Sequence, residues 1–133
     1  MNDLSIVYIS AMPMSSHYDD DLNIIFASSI GEVSLDDLMS YYSMISSYDL
    51  KEGYRVFVDY SDISLKLAER DIPKMAEARN ELVLSPDRTK IAVYCNKDLV
   101  FGLARMYQML LDQEHYDLRV FRDKDEARKW LGI

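Results

Sequence analysis

Cys95 is the only cysteine of the chain, and it closes an apolar strand pattern, Lys90–Cys95, just ahead of a long helix pattern. The C-terminal ends of parallel strands are where ligand sites of α/β sheets collect. A helix N-terminus there lowers a thiol pKa toward the reactive thiolate. A cysteine nucleophile also needs a base, and the chain has two histidines. His17 falls in the first connection and His115 at the far end of a helix, so neither is placed to serve Cys95. Free cysteine is also among the most buried residue types, and a packing role stands beside the reactive one.

A second group, Asp59, Ser61, Asp62, Asn96 and Asp98, is expected at the same strand edge. Two carboxylates there could hold a cation or work as acid and base. Alternatively, Asp59 and Asp62 fix a turn while Asn96 and Asp98 cap the following helix. Arg105 lies three or four residues from Phe101, Gln108 and Met109. It suits either an anionic ligand or partner, or an ion pair with a neighbouring carboxylate. The Asp19–Asp21 run lacks the spaced ligands of a calcium loop, and no Gly-rich phosphate loop is present. Neither a metal nor a cofactor is expected, and no catalytic constellation stands out.

The totals narrow the class. A chain of 133 residues suits one domain, 1–133, able to bury a core without disulfides. Hydrophobic residues make up 49%, and Gly and Pro together total seven, which excludes disorder and low complexity. No apolar run approaches the roughly 18 residues of a membrane span, and no basic stretch precedes an apolar core at the N-terminus. A soluble, cytoplasmic protein without membrane insertion is expected. The net charge of -8 belongs wholly to the first 50 residues, which carry eight acidic and no basic side chains. Such a surface repels nucleic acid and anionic lipid. It suits either a basic protein partner or plain solvation.

Hydrophobic periodicity gives the element order. Asp3–Ser10 alternates as a strand, Ala11–Asp21 reads as a polar connection, and Leu22–Ser29 forms a second strand. Ser34 with Asp37 resembles a capping box for a helix bearing Leu35, Leu38, Tyr42 and Ile45. Tyr54–Ser61 is a third strand, followed by a loop with one helical turn. Asp71 caps the next helix, with Pro73 in its first turn. Its stripe is Ile72, Met75, Ala76, Leu82 and Val83. Lys90–Cys95 is the fourth strand. A long helix opened by Asn96 or Lys97 follows, with a stripe of Leu99, Leu103, Met106 and Leu110. Gly102 inside that helix suggests close approach of another element. Tyr116–Asp123 is the fifth strand. Asp123 with Glu126 caps a last helix carrying Ala127, Trp130 and Leu131, and Gly132 ends it.

The order ββαβαβαβα argues for an α/β domain with a mixed, mainly parallel five-stranded sheet. Val56, Val58, Ile91, Val93, Leu118 and Val120 make one aliphatic sheet face. The alternate positions, Arg55, Phe57, Asp59, Ala92, Tyr94, Arg119 and Phe121, are mixed. Strands buried on both sides read apolar throughout, so the four helices are expected mostly on one face. The mixed face, with Tyr8 or Phe26 added, is then partly open. Aromatic residues with arginine are enriched at interfaces, and a homodimer through Arg55, Phe57, Tyr94, Arg119 and Phe121 is expected. In the alternative, a monomer folds the first connection over this face with Met12 and Met14.

This arrangement resembles the STAS, or SpoIIAA-like, fold, whose core is related to that of the CRAL-TRIO lipid carriers. The resemblance spans roughly Leu22 to Leu131. It is carried by "GEVSLDDL", "VFVDYSDIS" and "KIAVYCNKDLVFGLARMYQML" with "VFRDKDEARKWLG". It implies helices stacked on one side of the sheet and is nearly silent on activity. Anti-anti-sigma members of the family carry Asp-Ser-Ser-Gly after the third strand, with a phosphorylated serine. Matched from Asp59, the serine pair falls on Ala68 and Glu69 and the glycine on Arg70, while Ser61 and Ser64 lie outside the motif. A phosphorylation switch is therefore not implied. Two functions fit these readings. One is a non-catalytic regulatory or partner-binding module. The other is a carrier or sensor of a small apolar, lipid-like ligand held under the helices or on the open face.

Overall fold

The computed structural model describes residues 13–133, and the strand expected at Asp3–Ser10 lies outside them. Five strands form one sheet in the order β1-β2-β3-β4-β5. They are β1 (Met14–Asp19), β2 (Ile24–Val33), β3 (Arg55–Leu65), β4 (Thr89–Tyr94) and β5 (Tyr116–Phe121). β1 pairs antiparallel with β2, and every later neighbour is parallel. Four helices alternate with the strands: α1 (Leu35–Ser46), α2 (Ile72–Glu81), α3 (Asp98–Leu110) and α4 (Lys124–Leu131). The order ββαβαβαβα and the mixed, mainly parallel sheet match the sequence expectation.

β1 occupies the stretch read from sequence as a polar connection. Its serines give little strand signal, yet Met14 is buried, and the alternate residues Ser16 and Tyr18 turn to the same side. Ser16 Oγ lies 2.8 Å from the Tyr48 hydroxyl, and Tyr18 donates to Asn23 Oδ1 at 2.6 Å. An edge strand tolerates such polarity because one of its faces meets water. Asn23 takes the left-handed conformation, φ 57°, in the hairpin turn that follows, where asparagine is favoured. β2 and β3 run further than expected, to Val33 and Leu65, past a register shift between Ser28 and Ile30.

Helix starts follow local chemistry at two of four sites. Ser34 and Asp37 make the reciprocal capping box, with Asp37 Oδ2 accepting the Ser34 N–H at 2.8 Å. Asp123 Oδ1 accepts the Glu126 N–H at 3.0 Å, and Gly132 closes α4 at φ 82°, a backbone region that glycine enters without strain. Asp71 does not cap α2 as expected: its carboxylate accepts the Ala68 N–H, closing a 3₁₀ turn at Glu69–Asp71. α3 likewise has no side-chain cap. Its cap residue is Lys97, whose ammonium reaches the Ile63 carbonyl at 2.7 Å.

Two cores result. Val56, Val58, Ile91, Val93 and Leu118 pack against α1, α2 and α3. On the opposite face Ile24, Phe57 and Ala92 pack against Ala127 and Leu131 of α4. Three helices therefore share one face and the fourth covers part of the other. The buried stripe of α3 is Val100 and Leu103, continued by Leu111, while Leu99 is 68% exposed. α3 is apolar on most sides, so periodicity alone does not select the inward stripe, and packing turned it by one residue.

Gly102 is also corrected. It is exposed, and a Cβ built there would touch nothing within 4 Å. No neighbour requires it. Gly102→Ala is expected to stabilise the protein by about 0.8–1 kcal/mol, the propensity difference in a helix interior. Urea unfolding checks this, with a raised midpoint at unchanged slope; a lowered midpoint would show a contact at this position.

Candidate functional site

Between the aliphatic sheet face and α1–α3 lies a partly open cavity. About 60 Å³ of it is wide enough for the centre of a water molecule. That is less than the roughly 150 Å³ of an apolar cavity that takes up benzene, so the space as it stands holds a few waters or a small apolar group. α2 forms its roof, packing against α1 and α3. The floor is aliphatic, with Val56, Val58, Ile91, Val93 and Leu118. The polar atoms of its wall belong to four tyrosines and one arginine: Tyr41, Tyr42, Tyr60, Tyr107 and Arg79.

Arg79 sits on the inward stripe of α2, one turn beyond Met75 and two beyond Ile72, and is 2% exposed. Its Nη1 donates to the Leu82 carbonyl at 3.0 Å and to the Tyr116 hydroxyl at 3.1 Å. Its Nη2 donates to the Tyr54 hydroxyl at 3.3 Å, and the guanidinium lies 4.7 Å over the Tyr116 ring. The Tyr116 hydroxyl in turn donates to the carbonyl of Arg79 or Leu82 at the end of α2. No carboxylate pairs with Arg79 among the described residues. Burial works against the charged form, but the surrounding tyrosine oxygens outweigh it, and the group stays cationic.

Removing a guanidinium from water costs several kcal/mol. Hydrogen bonds to a charged group return about 1.5–3 kcal/mol each, and desolvated stacking on an aromatic ring returns about 2 kcal/mol. Neutral partners can therefore hold the cation in place. They do not neutralise it.

Tyr42 and Tyr107 meet across the cavity with their hydroxyls 2.7 Å apart, tying α1 to α3. Burial pushes the Tyr107 phenol up to about 12, and Tyr41, Tyr42 and Tyr60 also lie above their ordinary value through burial. All four are neutral near pH 7 and able to donate.

The residues singled out from sequence lie elsewhere. Cys95 is fully buried in the main core, and burial raises its pKa. That is the opposite of the shift a nucleophile needs. Asp59 lies within β3 rather than at its end. One oxygen accepts the Ser61 N–H at 2.9 Å, and the other pairs with Lys124 of α4 at 2.9 Å. Burial pushes its pKa upward, but these bonds outweigh it and hold the carboxyl below its ordinary range. Asp98 pairs with Arg122 rather than capping α3, and Asn96 and Asp62 are exposed. Among the described residues, Asp19–Asp21 is the trio whose oxygens approach within 4.8 Å of one another. Asp59, Asp62 and Asp98 form no such group. Arg105 lies 5.9 Å over the Phe101 ring, not against a carboxylate among the described residues.

The face read as open is largely occupied by the chain itself. Phe57 is 4% exposed beneath α4. Arg55 donates to the carbonyls of Leu131 and Leu22. Lys124 lies 5.4 Å over the Tyr94 ring, Arg119 lies 4.9 Å over the Trp130 ring, and Phe121 meets that ring at a tilt of 45°. The five residues assigned to a dimer interface are thus tied down by α4. What stays open is a groove beside β1 and β2, lined by His17, Phe26, Asp59, Lys124 and Arg128.

The architecture identifies the class. No protein-family model matches the chain, and no curated protein matches its sequence. Among solved structures, it is similar to an uncharacterised DUF3478-family protein with a SpoIIAA-like fold from Shewanella loihica PV-4. The two share 16% identity with a TM-score of 0.59, over 89% of this chain and 93% of the other. The fold is SpoIIAA-like. Among the described residues, no helix is long and apolar enough to cross a membrane.

Two outcomes test these placements. A disulfide reagent should label native Cys95 far more slowly than a model thiol and reach the model rate in denaturant; equal native rates would reinstate a reactive cysteine. The second test uses pH. Because the folded pKa of Asp59 is lowered, its contribution is present above the unfolded value near 3.9 and lost as pH falls through the folded value. Asp59→Asn should cost less than about 1 kcal/mol at pH 6, given partial exposure, and the difference should shrink by pH 3. Urea unfolding at both values checks the sign.

Proposed function

We propose that the protein is a non-catalytic cytoplasmic module that binds a small apolar ligand beneath its helices, as a carrier or a sensor. The cavity over the aliphatic sheet face is the observation that supports this reading. A domain of this size ordinarily packs its interior to a density that leaves few voids larger than a water molecule. Here α2 bridges α1 and α3, and several side chains line one continuous space. Small-molecule sites are characteristically mostly apolar with a few polar groups that fix orientation. The tyrosine hydroxyls and Arg79 supply such groups.

The volume sets the ligand's size. An apolar cavity of about 150 Å³ accommodates benzene, and the 60 Å³ here is under half of that. A compact ring or short chain enters with a modest outward shift of the wall, whereas a full-length lipid needs the helices to separate. The Tyr42–Tyr107 contact is the bond such a separation breaks first. The first expectation from sequence, a regulatory or partner-binding module, has less open surface to use, because α4 covers Phe57 and engages Arg55.

Ligand binding is tested with toluene, following the methyl resonances of Val58, Val93 and Leu103 by NMR. Saturable shifts at these methyls are expected. Ala104→Leu adds volume to the cavity wall and should weaken toluene binding at least tenfold while leaving stability unchanged or raised. If wild-type shifts are absent or Ala104→Leu leaves affinity unchanged, the cavity is not a binding site.

A further inference from the structure

The cavity contains an electrostatic asymmetry. Its wall carries one full positive charge, Arg79, and no carboxylate. The remaining polar atoms are neutral phenols. α2 contributes Glu77 and Glu81, both exposed, and the nearby Asp112 is paired with His115 at 2.7 Å. Among the described residues the guanidinium donates to one carbonyl and two hydroxyls. A guanidinium has five N–H donors in a planar fork that matches a carboxylate in two-point contact. Buried charges are ordinarily paired, and Arg79 lacks its counter-charge among the described residues.

We infer that the natural ligand is a small monocarboxylate with an apolar body, its carboxylate paired with Arg79 and its body on the Val58 and Val93 floor. The inference rests on the ligand-binding reading above. Charge and volume select the class. One buried cation balances one negative charge, whereas a phosphate dianion would leave a second charge unpaired in an apolar wall. A cavity of about 60 Å³ takes the body of a small aromatic or short-chain acid with a modest shift of its wall and excludes a long fatty acid. The neutral tyrosine hydroxyls can donate to a carboxylate oxygen not bound by Arg79.

The test compares matched acids and amides, benzoate against benzamide and hexanoate against hexanamide, by calorimetric titration at pH 7. Toluene serves as the neutral reference. At least one acid should bind wild type tenfold or more tightly than its amide. In Arg79→Met that preference should vanish while toluene affinity stays within about threefold. Arg79→Lys should keep part of the preference, because it retains the charge and loses the fork. If toluene binds but neither acid outbinds its amide, the carboxylate assignment is wrong and the cavity reading survives. If toluene and the acids all fail to bind, both are wrong. If Arg79→Met does not fold, the wild-type comparison decides alone.

Discussion

The fold depends on one topological constraint. β2, β3, β4 and β5 are laid down as successive parallel neighbours in a single direction across the sheet. A crossover between parallel strands is right-handed in about 98% of cases. Three right-handed crossovers advancing the same way must leave their helices on the same side. α1, α2 and α3 therefore crowd one face, and the opposite face receives none of them. α4 follows the last strand and is bound by no crossover, so it is the one helix free to cover the other side. The composition of the strands fits this division. The face under three helices is Val, Ile and Leu. The face under α4 mixes Phe57 and Ala92 with Arg55, Asp59 and Arg119, whose polar ends reach carbonyls, Lys124 and the Trp130 ring.

The same constraint accounts for the cavity. Three crossover helices must be accommodated over a narrow sheet. α1 packs on β1 and β2 and α3 on β5, while α2 contacts its two helical neighbours. A bridging helix of this kind leaves space below it unless large side chains reach down. α2 is short and carries Pro73 in its first turn, and its inward stripe is Ile72, Met75, Ala76 and Arg79. Alanine reaches nowhere. Arginine reaches far, but the guanidinium is drawn to the carbonyl of Leu82 and the tyrosines at the C-terminal end of the helix. The space under the roof is left to the tyrosine rings, with Arg79 in its wall.

Much of this was legible in the sequence. The alternation of Val56, Val58, Ile91, Val93 and Leu118 against the mixed positions specified the two faces, and Ser34 and Asp123 declared their helices because capping is local chemistry. β1 was not legible, since Ser15, Ser16 and His17 carry no strand pattern and take their place from pairing with β2. The inward stripe of α3 was ambiguous because both candidate stripes have the right period. The site was missed for a different reason. Nucleophile and acid patterns point to Cys95 and Asp59, whereas the distinctive residue is a cationic side chain on an apolar stripe. Ile72, Met75 and Ala76 place position 79 on the inward face, and an arginine there was readable as a buried cation.

α4 changes what the mixed sheet face means. From sequence, an aromatic face with arginines resembles an interface, because interfaces and cores share the same residue types. The distinguishing fact is whether the chain has an element left over to cover it. α4 is such an element: eight residues whose buried side chains are Ala127 and Leu131. Alanine lets the helix approach closely over Phe57 and Ala92, and Trp130 extends the cover to Phe121, Arg119 and Lys90. A helix this short is marginal by itself, so its position depends on those contacts and on the Asp59–Lys124 pair. The two faces thus differ in kind. One is partly covered by a short helix whose contacts are made at the sheet. The other lies under three helices that contact one another, with room between them and the sheet for something that is not protein.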